Sequence, residues 1–342
     1  MGGRPVSGEN EGFESARLSL RLKTWLEKAG FDLSQRWLPA GSAGSSRRYW
    51  RARLGEGTIV LMTQPSADLD FHRFAQITGY LASKGVRVPR LHLADDSAGQ
   101  MLLEDLGRTS FYDVVRDEGS QEGMLNRYSA ALVVLAELQK RTEGFESDGP
   151  ELLLDRRFDF EALRWETDYF SEHWLGGVMH VDRETRASLA DEFDELALRV
   201  RRHPMALMHR DFQSQNLMVA EERPMRLALI DYQGARAGSR WYDLASLLWD
   251  PYVGLDVQQV RYLWREWCGM RGLEPSSAHW RAFLEASLQR LMQACGAYGN
   301  LGRRQGKPFF EAQIPAGRRQ LLRALGEMPS GEFPKLREML EG

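Results

Sequence analysis

One stretch, Leu207–Pro251, constrains this chain more than any other: LMHRDFQSQNLMVAEERPMRLALIDYQGARAGSRWYDLASLLWDP. Two runs inside it concentrate polar chemistry, His209-Arg210-Asp211-Phe212-Gln213-Ser214-Gln215-Asn216 and Leu229-Ile230-Asp231-Tyr232-Gln233-Gly234. Asp211 and Asn216 fall on one loop, so the carboxylate can face one reactant while the amide curls back toward another. Asn216–Val219 reads as a strand leaving that loop, Glu221–Pro224 as a turn and Arg226–Ile230 as the hairpin partner. The hairpin is expected to deliver Asp231 beside Asn216.

That set suits phosphoryl transfer from a magnesium nucleotide. Asp211 would accept the proton of an attacking hydroxyl, and Asn216 and Asp231 offer the oxygen ligands that hard cations prefer. A lone H-x-D triplet is common by chance and usually marks an ordinary loop. The combination with x4-N, a hairpin and apolar-Ile-Asp-aromatic-x-Gly is much more specific.

The 342 residues are enough for two lobes with real cores. A net charge of -3 argues against a general nucleic-acid binder. The two cysteines, Cys268 and Cys295, are not in metal-like or redox spacing, which suits a reduced cytoplasmic chain. No apolar run reaches the length of a membrane span. Residues 1–11, polar and without an apolar signal core, read as a disordered tail.

Taken in order, Phe13–Ala29 reads as an amphipathic helix. A strand at Arg36–Pro39, a small-residue loop through Ser45, and strands at Arg47–Leu54 and Thr58–Met62 follow. The loop's Gly and Ser residues would let backbone N–H groups approach phosphate oxygens; in isolation a plain hairpin turn is the favoured reading, and the downstream motif reverses that. Phe71–Ser83 reads as a helix and Met101–Glu104 as a buried strand. Beyond it Thr109–Arg116, Asn126–Arg141, Phe158–Trp174 and Val181–Arg201 read as helices, with Trp165 and Tyr169 as candidates to border the acceptor. Gly234–Gly238 reads as a mobile loop and Arg240–Trp249 as a helix, with Asp243 capping it or bracing the loop before it. Asp250 ends that helix and is a candidate to face the acceptor. Helices at Val257–Arg271, Ala278–Tyr298 and Gly317–Glu327 complete the chain. Gly302–Lys307 is a local basic cluster; Arg303 and Lys307 there would suit a carboxylate on the acceptor.

These motifs resemble the catalytic core of the aminoglycoside phosphotransferase-like kinases, relatives of the protein kinases. Within that family the chain looks most like the anomeric kinases of N-acetylmuramate and N-acetylglucosamine that serve cell-wall recycling. The likeness runs from about Leu18 to Leu325. Ser45–Arg51, Leu102–Gly107, Tyr242–Asp250, Gln289-Arg290 and Gly306-Lys307-Pro308 support it. It implies a bilobal, protein-kinase-like α+β fold: a small N-terminal lobe with an antiparallel sheet, residues 12–105, and a larger, mainly helical lobe, residues 106–342. It also implies ATP and Mg²⁺ as cofactors, Asp211 as base, Asn216 and Asp231 as metal ligands, and His209 and Asp243 as supports. Ser45, Arg47, Arg48, Glu104 and Leu106 would meet the nucleotide, the last two around the adenine ring. Arg290 joins Asp250, Arg303 and Lys307 as candidates for the sugar.

The sequence departs from the general kinase pattern in one place. Thr58–Met62 carries no Lys, and Asp70–Leu81 carries no Glu to pair with one. Arg47 or Arg48 can substitute, and alternation along a strand would point only one of them inward. The expected partner is a small-molecule sugar, with no nucleic acid or membrane, and the chain is expected to act as a monomer. An aminoglycoside, choline or homoserine acceptor is the alternative, and a nucleotide-binding module without turnover is a second.

Overall fold

The computed structural model describes residues 12–42 and 47–341. The chain forms two compact units. The smaller comprises residues up to Arg108 together with Ala228–Gln233, and the larger comprises Thr109–Leu227 and Gly234 onward.

The smaller unit is built on a six-stranded antiparallel sheet. Its strands are β1 (Phe13–Glu14), β2 (Arg36–Ser42), β3 (Arg48–Leu54), β4 (Gly57–Thr63), β5 (Leu91–Asp95) and β6 (Gln100–Glu104). They lie in the order β1-β2-β3-β4-β6-β5. β3 and β4 alternate in burial, so Trp50, Ala52, Ile59 and Leu61 share one face. There they pack with Leu22 and Leu26 of the helix Leu20–Lys28 and with Trp37 and Leu102. This helix is shorter than its hydrophobic period suggests. Phe13 and Glu14 pair instead with Trp37 and Arg36, and the Ser19 side chain caps the helix by accepting from Leu22 N.

A second helix, Leu69–Ser83, starts at Asp68, which accepts from Phe71 N. Residues 228–233 join this unit through Tyr232, whose ring stacks on Phe74 at 5.1 Å and whose hydroxyl is 2.7 Å from Thr78 Oγ1. Leu229 N donates to Arg87 O at 2.9 Å.

The larger unit is mostly helical. Its centre is the helix Ser277–Ala297, buried along most of its length from Phe283 to Gly296. It packs against the helices Phe160–Phe170, Ala190–Arg201, Tyr242–Leu248 and Ile314–Gly326. Such all-round burial explains why its apolar residues are not confined to one stripe. Two small ribbons interrupt the helices. β7 (Met205–Met208) leads into the loop holding Asp211. β8 (Leu217–Glu222) and β9 (Met225–Leu229) form the hairpin expected after Asn216.

The segment read as a loop at Gly234–Gly238 contains a strand, β10 (Arg236–Ser239), antiparallel to β7 with Ala237 opposite Leu207. Small residues permit it, since a Cβ on Gly238 would collide with Met208 Sδ. The Phe158–Trp174 segment also differs from a single α-helix. It runs from Phe160 to Phe170 after the Asp159 cap and then widens into a π-helical turn, Ser171–Gly176. Val181–Arg201 divides into Arg183–Ala187 and Ala190–Arg201, broken at the buried Leu189.

Candidate functional site

The loop from His209 to Asn216 is held near both ends by two buried carboxylates, one inside a helix and one just past it. Asp243, in the first turn of Tyr242–Leu248, accepts from His209 N at 2.6 Å and Arg210 N at 2.9 Å. Asp250, just past the end of that helix, accepts from Ser214 N at 2.8 Å, Ser214 Oγ at 2.6 Å and Tyr252 N at 2.9 Å. Burial pushes Asp243 up to about 7 against the pull of those N–H groups, and it raises Asp250 as well. Asp243, expected to cap its helix or brace the loop before it, accepts from two of that loop's N–H groups. Asp250, expected at the acceptor, is 1% exposed and spends its oxygens on Ser214 and Tyr252.

With its ends fixed, the loop holds Arg210 at φ +80°, a left-handed conformation uncommon outside glycine. Asp211 follows with a carboxylate about 30% exposed. Burial raises its pKa, but the positive charges of Arg210, Arg290, His209 and Arg236 prevail and hold it below the usual carboxylate value. Arg290 reaches the loop from the central helix. Its Nη2 lies 3.4 Å from Asp211 Oδ1 and 3.2 Å from Gln213 Oε1, and its Nε donates to Ser246 Oγ at 2.9 Å. Arg290, proposed from sequence as a sugar contact, thus touches the candidate base itself.

Behind the loop sits a group absent from the sequence reading. Glu166 is buried, accepts from the Tyr242 hydroxyl at 3.0 Å and Gln289 Nε2 at 3.2 Å, and stands 3.6 Å from Arg210 Nη2. Burial raises its pKa despite the nearby arginines. Its sequence signal is an acid on a helix's buried stripe, with Leu163, Thr167 and Phe170.

Asn216 ends a 3₁₀ turn that begins at Ser214. Its Nδ2 donates to Asp211 O at 2.9 Å, which leaves its Oδ1, an oxygen donor, for a hard cation. In the smaller unit Asp231 adopts φ +63°, and its Oδ1 accepts from Gln233 Nε2 at 2.9 Å. Among the described residues no three His, Cys, Asp or Glu side chains cluster into an all-protein metal cage. The donor chemistry fits Mg²⁺, which is held by one or two protein oxygens and completed by water and phosphate.

Arg47 and Arg48 separate clearly: Arg47 is buried and Arg48 exposed. Burial raises the Tyr49 hydroxyl's pKa, Arg47 opposes that, and Asp231 adds to it, so both charges act on the same phenol. Arg47 also helps hold Asp68 below the usual carboxylate value. Ser45 lies outside the described residues. Glu104 is held by Arg87 through contacts of 2.6 and 2.7 Å and accepts from Arg90 N at 3.0 Å; Leu106 lies half-buried in the turn after β6. That turn is fixed by Asp105, which pairs with Arg51 and accepts from Gly107 N at 2.9 Å. Arg303 is exposed and pairs with Glu311 at 3.0 Å, and Lys307 is half-buried. Cys268 and Cys295 are free and buried.

The phosphotransferase enzyme family's sequence profile matches residues 36–282. An N-acetylmuramate/N-acetylglucosamine kinase of Pseudomonas aeruginosa is 31% identical over 316 residues, covering 89% of this chain and 87% of the relative. A protein of the same name from Neisseria meningitidis is 28% identical over 309 residues, covering 86% and 87%. A choline/ethanolamine kinase family protein from Mesorhizobium loti shares the fold, with a TM-score of 0.59 at 15% identity over 94% of this chain and 99% of that one. Among the described residues no helix is long and apolar enough to cross a membrane.

Proposed function

The chain belongs to the phosphotransferase enzyme family, and from that premise we propose that it transfers the γ-phosphoryl group of Mg-ATP to the anomeric hydroxyl of an N-acetylated amino sugar. The acceptor class is taken from the relatives named N-acetylmuramate/N-acetylglucosamine kinase, which this chain matches over most of their length. The observation carrying the chemistry is the loop pinned by Asp243 and Asp250, which presents a partly exposed, ionised Asp211.

In this reading Asp211 orients the acceptor hydroxyl and takes its proton, and Arg290 holds the carboxylate in place. Asn216 and Asp231 bind Mg²⁺, which neutralises charge on the phosphates. Arg47 stands in for the missing strand lysine, and the segment from Glu104 to Leu106 borders the adenine. Little covalent work falls to the protein, so positioning and charge dominate the rate. The enzyme acts as a cytoplasmic monomer, and its sugar 1-phosphate product returns wall-derived sugar to use.

An ADP-release assay tests the proposal. N-acetylglucosamine and N-acetylmuramate should each support turnover and lose their reducing ends as ADP appears. Their methyl glycosides, blocked at the anomeric oxygen, should release none above background. Equal rates on a methyl glycoside would overturn the anomeric assignment. Turnover of an aminoglycoside with neither sugar reacting would replace the acceptor class.

A further inference from the structure

The larger unit holds a second concentration of positive charge, built around two π-helical turns. Ser171–Gly176 extends the helix Phe160–Phe170, and Tyr298–Arg304 extends the central helix. The turns pack so closely that a Cβ on Gly299 would strike His173 O. Such turns are rare and often mark functional sites. Beside them opens a cavity of about 470 Å³, lined by Arg183, Arg186, Arg303 and Arg304, with Glu172 and Asp182 also on its wall.

The charges there do not cancel. Arg303 pairs with Glu311, and Asp182 caps its own helix by accepting from Thr185 N at 2.9 Å and Thr185 Oγ1 at 2.6 Å. Among the described residues Arg183, Arg186 and Arg304 pair with no carboxylate. Arg186 is set into the wall. Its Nη1 donates to Ser171 O at 2.9 Å, its guanidinium lies against Gly176, and its Nε is buried without an acceptor. Arg304 Nε donates to Asn300 Oδ1 at 2.8 Å, and Asn300 Nδ2 donates to the Tyr169 hydroxyl at 2.8 Å. Tyr169 in turn stacks on Trp165, which is 55% exposed. The helix that presents this aromatic pair also carries Glu166, 3.6 Å from Arg210 in the catalytic loop.

We propose that this cavity binds the oxyanion group of a sugar-sized anion, a carboxylate or phosphate monoester, through Arg186 and Arg304. The inference rests on the amino-sugar reading and deepens it. N-acetylmuramate bears a carboxylate that N-acetylglucosamine lacks, so a site of this chemistry would tell the two acceptors apart. The basic cluster visible in the sequence supplies Arg304 to this site, while its Arg303 is neutralised by Glu311.

The test compares the double variant Arg186→Gln, Arg304→Gln with the unmodified chain, using thermal unfolding to confirm that both fold. Its KM for N-acetylmuramate should rise about ten-fold, while KM for N-acetylglucosamine moves less than about two-fold and kcat holds for both. Equal changes for the two sugars, or no change for either, overturn the proposal. The exposed Arg183→Gln should give a smaller shift in the same direction and serves if the double variant fails to fold. Calorimetric titration with N-acetylmuramate and with glucose 6-phosphate separates this idea from the kinase reading, because it needs no turnover. Binding that the variant loses supports the site even if no sugar is phosphorylated, and tighter binding of the phosphate would assign the cavity to a phosphorylated ligand. If neither anion binds the unmodified chain, the proposal falls.

Discussion

At Asp211 burial and charge pull in opposite directions, and the arginines win. The carboxylate therefore stays ionised through neutral pH, and the acid limb of kcat/KM should lie below the ordinary carboxylate range. Arg290→Gln removes one of the opposing charges and should shift that limb to higher pH; a limb that stays put would free Arg290 of this role. A weakly basic carboxylate is a poor match for an alkyl alcohol and a better one for the more acidic anomeric hydroxyl. Asp211→Asn should lower kcat by on the order of 10²-fold or more while leaving the KM for ATP nearly unchanged. Steady-state kinetics would expose a spectator Asp211 by near-normal turnover. In the smaller unit, burial of Arg47 and exposure of Arg48 turn a paired uncertainty into a contrast. Arg47→Ala should raise the KM for ATP several-fold and Arg48→Ala should not, and equal effects would send the phosphate contact elsewhere.

The Tyr242–Leu248 helix, with Asp243 in its first turn and Asp250 just past its end, is the element that holds the His209–Asn216 loop. Asp243→Ala would strand two loop N–H groups and should cost about 3 kcal/mol in denaturant unfolding. The pH signature follows from the raised pKa. Asp243's contribution is full below 3.8 and fades as pH rises through about 7, so the unmodified chain should lose stability over that window relative to Asp243→Asn. The hairpin after Asn216 and the β3–β4 pair were legible because alternation and turn residues mark them locally. β10 was not, because Gly-Ala-Arg-Ala-Gly reads as a loop until Met205–Met208 offers it a partner. Asp250 misled for a related reason. A carboxylate before a proline marks a helix end and a candidate to face the acceptor, and only tertiary structure turns it toward Ser214. Arg290 was noticed through the family likeness, but its contact with Asp211 joins residues far apart in sequence.

Across the whole molecule the sequence supports the mixed α+β, kinase-like architecture, and the comparisons place the chain in the phosphotransferase family. Asp231→Ala should weaken nucleotide binding measured with Mg²⁺ and leave binding without it little changed; unaltered affinity in both conditions would remove Asp231 as a ligand. The smaller unit is also discontinuous, completed by residues 228–233 returning from downstream. The ring of Tyr232 covers Phe74, and its hydroxyl meets Thr78. During synthesis the ribosome therefore releases the whole six-stranded sheet while that apolar patch is still bare. The nascent smaller unit must wait, with Phe74 uncovered, until the His209–Asn216 loop and its hairpin have emerged, and a chaperone that shields aromatic surface would find its longest opportunity in that interval.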